Sequence, residues 1–188
     1  MIYIIRHGRT ALNRQNALQG RSDLPLDPEG VAQARAAAQR LDALGIRFDR
    51  VYTSPLQRAI QTARLVAPDV EPIVDPRLIE MDYGPYEGAD LRTPPPELAA
   101  FFADFTHTPP GMETLPHVVA RAGDFMETLR GLSGSLLIST HAVAMKGILE
   151  YLTPDARGAW WSRYIGNCAV YTVDNTGSEL GLPRELIP

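Results

Sequence analysis

The sequence predicts an α/β protein, a three-layer α/β/α sandwich whose central sheet is mostly parallel. Three observations carry this. Short, continuously apolar runs, Ile2 to Ile5 and the LLIS run at 136–139, read as strands buried on both faces. Between such runs lie stretches with apolar residues at helical spacing, and strands alternating with helices place helices on both faces of a parallel sheet. The helical stretches also open on start signals, Asp27-Pro28 and Ser54-Pro55.

In chain order, Ile2 to Ile5 is the first strand. Asp27 caps a helix and Pro28 suits its first position; Val31, Ala34, Ala38, Leu41 and Leu44 form its stripe, and Gly45 stops it. Arg50 to Thr53 is the second strand. Ser54-Pro55 repeats the cap-plus-proline signal for a helix from Leu56 to about Val66, and Glu71 to Val74 is a third strand. Val118 to Leu129 is an amphipathic helix, Ser135 to Thr140 a buried strand, Ala142 to Tyr151 a helix and Ala169 to Val173 the final strand.

The texture changes between Asp75 and Pro116, which hold eight of the chain's 16 prolines. Such a segment cannot be a regular strand–helix unit. It reads as an excursion lying over the body as a lid, with one short helix near Glu97 to Phe105. Phe101, Phe102 and Phe105 argue against a disordered linker, which would be poor in aromatics. The chain is thus expected to be one domain, 1–188, with this insertion at about 75–116.

Composition excludes several classes. The 188 residues carry a net charge of -4, so the overall field favours neither nucleic acid nor an anionic membrane. Any anion site must be built locally. The single cysteine, Cys168, permits no internal disulfide and no cysteine-based zinc cluster. No apolar run approaches the length of a membrane span, and the stretch before Arg6 is too short for a secretory signal, so the expected location is the cytoplasm.

In open α/β sheets ligands collect beyond the carboxyl ends of the strands. There the first strand ends in Arg6-His7-Gly8, and the second in Thr53-Ser54 with Arg58 one turn into the next helix. The strand before Ala142 ends in Thr140-His141, and Glu80 stands at the root of the lid. Two arginines beside two histidines repel unless an anion sits among them. The planar fork of Arg suits phosphate oxygens, and the start of the Arg58 helix adds backbone donors. Between the two arginines, His7 should be neutral at pH 7 and hence nucleophilic. The scheme that follows is in-line attack by His7 on phosphorus, with Arg6, Arg58 and His141 holding the equatorial oxygens. Glu80 would protonate the leaving oxygen and then deprotonate water. It requires no metal or cofactor.

The stretches RHGRTALN, LQGRSDLPLDPEG, YTSPLQRAIQTA, EMDYGPYEG and STHA together resemble the histidine phosphatase superfamily, the phosphoglycerate mutase-like proteins. The resemblance implies His7 as the phosphorylated nucleophile, His141 as its partner, Arg6 and Arg58 as phosphate ligands and Glu80 as proton donor. Ala142 stands where another branch carries an acid, which indicates the Glu branch. Thr10, Asn13, Gln19 and Gly20 match positions lining the phosphate or substrate pocket; Tyr83 and Ala142 are further candidates for it.

True mutases have a longer lid with extra basic residues, whereas Met81 to Pro116 holds Arg92 alone besides histidine. The lid offers Phe101, Phe102, Phe105, Tyr83 and Tyr86 instead, which fits a substrate with an apolar part. The expectation is a phosphomonoester hydrolase acting on a small phosphorylated metabolite and releasing inorganic phosphate. The alternatives are a cofactor-dependent phosphoglycerate mutase and a non-catalytic phospho-ligand binder. RHGRT also resembles the α-ribazole phosphatase group. Arg9 and Arg21 read as steering or surface charges. Trp160 and Trp161 read as core anchors or a dimer patch, so the chain is expected to be a monomer or homodimer.

Overall fold

Each apolar run of the sheet must bury two faces, and the structure shows what covers them. The protein is described by a computed structural model over residues 1–177 and 179–188. The strands are β1 (Ile2–Arg6), β2 (Arg50–Thr53), β3 (Ile73–Val74), β4 (Leu136–Thr140), β5 (Val170–Val173) and β6 (Arg184–Ile187). They form one sheet in the order β3-β2-β4-β1-β5-β6. The first four of that order run parallel, β5 runs antiparallel to β1, and β6 runs antiparallel to β5.

The helices are α1 (Ala11–Gln15), α2 (Pro28–Ala43), α3 (Gln57–Val66), α4 (Pro96–Asp104), α5 (Leu115–Glu127) and α6 (Ala142–Leu152). Alternation along the strands separates the two layers. Ile5, Leu137 and Val170 pack with Ala34, Ala37 and Leu41 of α2 and Ala63 and Val66 of α3. Ile2, Ile4, Leu136 and Ile138 face the other way, onto Phe125 and Met126 of α5 and Met145, Ile148 and Leu149 of α6. This is the three-layer sandwich read from the sequence.

Several local expectations shift. The buried stripe of α2 is Gly30, Ala34, Ala37 and Leu41, one residue off the predicted line at Ala38, and Leu44 is 60% exposed. The third strand is only Ile73–Val74, both exposed on the sheet edge. The fifth helix starts at Leu115, because Thr114 accepts the His117 N–H and so caps it. β5 is not the final strand: β6 pairs beyond it. Its pattern is mostly exposed, so it lacks the apolar run that marks a buried strand.

The proline-rich excursion contains two short 3₁₀ turns, Pro76–Leu78 and Gly84–Tyr86, and α4. It has its own core: Leu18, Met81, Tyr83, Leu98, Phe101, Met112, Leu115 and Val118. The Phe101 ring lies 5.4 Å from those of Phe102 and Phe105. The lid aromatics suggested for a substrate's apolar part are therefore largely spent on holding the lid together, Tyr83 and Phe101 being buried. Trp160 is a core anchor, packed on Tyr171 with its indole N–H on Thr153, while Trp161 packs against the lid cluster.

Candidate active site

Strand register brings the two histidines together. Arg6 pairs with Thr140 across β1 and β4, so His7 and His141 each stand one residue beyond a paired position. Their rings lie 5.1 Å apart, and both side chains are buried. The His7 N–H donates to the Thr140 carbonyl at 2.9 Å, and Asn167 donates to the His7 carbonyl at 2.9 Å, which fixes the backbone of the turn.

The Gly8 carbonyl lies 2.7 Å from Nδ1 of His7 and can only accept, so Nδ1 carries the proton and Nε2 presents its lone pair. Nε2 faces the Arg58 Nε at 3.3 Å. Arg58 Nε also donates to Nδ1 of His141 at 3.1 Å. That leaves the His141 proton on Nε2, 2.6 Å from Ser54 Oγ. Burial first, then the charges of Arg58 and Arg6, hold His7 well below the usual imidazole range. Burial and Arg58 do the same for His141. Both rings are neutral at pH 7, as a nitrogen nucleophile requires.

Ser54 does not cap α3 as its Ser-Pro pair suggests. The N-cap is Leu56, without a side-chain bond, and the Ser54 hydroxyl orients His141 instead. Arg58, fully buried in the first turn of α3, donates to the carbonyls of Ser22 at 2.8 Å and Gly20 at 2.7 Å. One hydrogen remains on each terminal nitrogen. Burial pushes its guanidinium down to about 10, still cationic at neutral pH.

Arg6 is half-buried, and its NH1 donates to the Ile165 carbonyl. Its Nε is buried with no partner, the one such side-chain atom among the described residues. Buried donors are normally satisfied, so an orphan here marks a place for an acceptor.

Glu80, also buried, takes the capping role at α6 that His141 leaves open. Its Oε1 accepts the N–H groups of Met81 and Ala144 at 2.9 Å each, and its Oε2 accepts that of Val143 at 3.1 Å. The carboxyl group is thereby brought to the carboxyl end of β4, beside Ala142. Lys146, one turn further along α6, donates to the Trp161 carbonyl at 2.7 Å. Burial lowers it to about 8 while Glu80 opposes the shift. Nothing in the spacing of the sequence marked this lysine.

Four further candidates are linked to Arg58 by hydrogen bonds: Gly20 accepts from it directly, and Gln19 donates to its other carbonyl acceptor, Ser22, at 3.3 Å. Thr10 caps α1 in a reciprocal box with Asn13, and its hydroxyl donates to Gln19 at 2.6 Å. A side chain at Gly20 would strike the Met81 carbonyl at 2.4 Å, so Gly20 lets the two segments touch. Gly8 has the same reason: a Cβ there would lie 2.4 Å from the Gly30 carbonyl of α2. Arg9 and Arg21 are not free charges. Arg9 pairs with the α2 cap Asp27 at 2.9 Å, and Arg21 donates to the Glu80 carbonyl at 3.1 Å.

An α/β sandwich with a mixed sheet thus brings two histidines, two arginines and a glutamate together at its strand ends, a set whose chemistry suits an anion beside a nitrogen nucleophile. The sequence profile described as Histidine phosphatase superfamily (branch 1) matches residues 2–184, and the chain belongs to that superfamily. A 2,3-bisphosphoglycerate-dependent phosphoglycerate mutase of Methylobacterium sp. (strain 4-46) is 38% identical over 166 residues, 81% of this chain and 80% of that protein. The fructose-2,6-bisphosphatase TIGAR of Xenopus laevis is 40% identical over 138 residues, 67% of this chain but 48% of that protein. Among solved structures, a phosphoserine phosphatase mutant from Entamoeba histolytica superposes with a TM-score of 0.83 at 23% identity, over 98% of this chain and 93% of that one. TTHB049 from Thermus thermophilus superposes at 0.77 with 28% identity, over 100% of this chain and 99% of that one.

Proposed function

We propose that this protein is a phosphomonoester hydrolase that works through a phosphohistidine on His7. Nε2 of His7 attacks phosphorus while Nδ1–H stays on the Gly8 carbonyl, which keeps the ring in the reactive tautomer. The unpartnered Nε of Arg6 and the spare hydrogens of Arg58 take phosphoryl oxygens. His141 is not itself a phosphate donor in this tautomer: its Nδ1 accepts from Arg58 Nε and orients that guanidinium. Glu80 gives its proton to the leaving alcohol oxygen. It then takes one from the water that attacks the phosphohistidine, and inorganic phosphate leaves. Thr10, Asn13, Gln19 and Gly20 keep the wall of the pocket in place.

The observation that carries hydrolysis over isomerisation is the state of the lid's basic side chain. A mutase must retain its released product and return the phosphoryl group, which calls for further cations beyond the first phosphate site. Arg92, the one arginine or lysine between Met81 and Pro116, is exposed and bound by its own neighbour Asp90 at 2.7 Å. The mutase reading draws on the 38% identical relative. The hydrolase reading also has support from the bisphosphatase relative.

Incubation with 3-phosphoglycerate and a catalytic amount of bisphosphoglycerate separates the two. Phosphate release is the expected result, and efficient isomerisation without it overturns the proposal. With p-nitrophenyl phosphate in chelator, turnover is expected from the wild type and essentially none from His7→Ala. The trapped adduct should be acid-labile and alkali-stable. A screen across phosphoglycerates, sugar phosphates, phosphoserine and α-ribazole phosphate then assigns the substrate.

A further inference from the structure

A general acid must be held within hydrogen-bond reach of the oxygen it protonates, so the backbone that carries it matters as much as its side chain. Glu80 lies in an irregular segment, between a single 3₁₀ turn and the lid, where no helix or sheet ladder fixes the chain. Side chains from elsewhere do so. The NH1 of Arg121, on α5, donates to the carbonyls of Arg77 at 2.7 Å and Ile79 at 2.6 Å. Its other face forks onto Glu113, with Nε on Oε1 at 2.7 Å and NH2 on Oε2 at 3.2 Å. Glu113 in turn accepts the Asp82 N–H at 3.1 Å and donates its own N–H to the Asp82 carbonyl at 2.8 Å.

The pair therefore grips the chain just before and just after Glu80. Both side chains are nearly buried, 10% and 5% exposed. We infer that Arg121 and Glu113 are positioning residues for the reaction: a buried bidentate ion pair that sets where the Glu80 carboxyl group sits. A surface ion pair would have no such purchase, because it would be loose and screened. The geometry here spends four of the guanidinium's five donors on one carboxylate and two backbone carbonyls, an arrangement that a lysine ammonium cannot reproduce.

This inference rests on Glu80 acting as the acid, and the test separates the two ideas. p-Nitrophenyl phosphate expels a leaving group that needs little protonation, whereas benzyl phosphate, of similar bulk, expels an alkoxide that needs a proton. Glu80→Gln should lose far more kcat/KM on the benzyl ester, since kcat/KM reports the first phosphoryl transfer and leaves out the hydrolysis of the phosphohistidine that both esters share. If it loses equally on both, Glu80 is not the acid. Given that control, Arg121→Met and Glu113→Gln should each lower kcat/KM on benzyl phosphate by about tenfold or more, within the roughly 10²–10⁴ available to such catalysis. The loss of kcat/KM on p-nitrophenyl phosphate should stay below about threefold.

Arg121→Lys, which keeps the charge, guards against a variant that fails to fold. It should retain the wild-type circular dichroism and show the same selective loss. The decisive measurement is the double variant Glu80→Gln/Arg121→Lys on benzyl phosphate. If Arg121 acts through Glu80, the double variant is no slower than Glu80→Gln alone. A loss that multiplies in the double variant, or one equal on both esters, assigns the pair a purely structural role and overturns the inference.

Discussion

Lowering the pH from 6.5 to 5.5 should destabilise this protein through two side chains at its centre. In the unfolded chain His7 and His141 titrate near 6.5, while in the folded protein burial and the neighbouring arginines hold both well below that value. A depressed folded pKa gives stability that is fully present above the unfolded pKa. That stability is lost as pH falls toward the folded value, because the unfolded chain binds protons that the native one refuses. Integrating the linkage over this interval gives about 1 kcal/mol per ring and about 2 kcal/mol for the pair. Carboxylates contribute little here, since their unfolded values lie near 4. With an m-value near 2 kcal/mol/M, the urea midpoint should fall by about 1 M. The control is His7→Gln/His141→Gln, which removes both titrating groups. The difference between the two proteins' pH slopes isolates the rings. If the wild type and the double variant lose the same stability over this interval, the histidines are not held neutral and the assigned tautomers fail.

Two further outcomes follow from packing. Gly30→Ala should cost about 1–3 kcal/mol and impair turnover, because its Cβ would sit 2.0 Å from the Arg9 carbonyl, backbone against backbone two residues from His7; an unchanged urea midpoint and an unchanged p-nitrophenyl phosphate rate would sink this. Phe101→Ala should cost about 3–5 kcal/mol, as the 2% exposed ring joins Phe102 and Phe105 at the centre of the lid cluster. At about 2–4 °C per kcal/mol that shift is easily read in a thermal melt, and a melt unaltered by the truncation would show that the lid core does not support the fold.

What the sequence makes legible depends on how local the cause is. Arg6, His7 and His141 are readable because each abuts an apolar run, so the strand that explains the burial also points at the site. Asp27 is readable as a cap because its acceptor geometry involves only the next three residues. Ser54 is misread for the opposite reason: besides accepting the Leu56 N–H at 3.3 Å, its hydroxyl meets a histidine 87 positions away, which no local Ser-Pro pattern reveals. Glu80 stands out by its place at the root of the lid, but its grip on the start of α6 is a tertiary event. Arg121 sits on the mostly apolar helix α5 and has no local signal, since two of its acceptors are backbone carbonyls more than forty residues away and the third, Glu113, lies before the helix begins. β6 goes unread because one buried residue in four makes no pattern.

The pairing of β1 has a consequence for biosynthesis. Ile2 lies between Leu136 and Val173, so both neighbours of the strand that bears His7 belong to the far end of the chain. During translation β1 has no sheet to join until β4 has emerged, and its two edges stay open to any other strand meanwhile. The segment carrying the proposed nucleophile is thus made well before either strand it pairs with. A nascent or truncated product ending before Leu136 would hold His7, Arg58 and Glu80 in sequence yet have no centre to place them in. It would be inert, and prone to sticking rather than to stray chemistry.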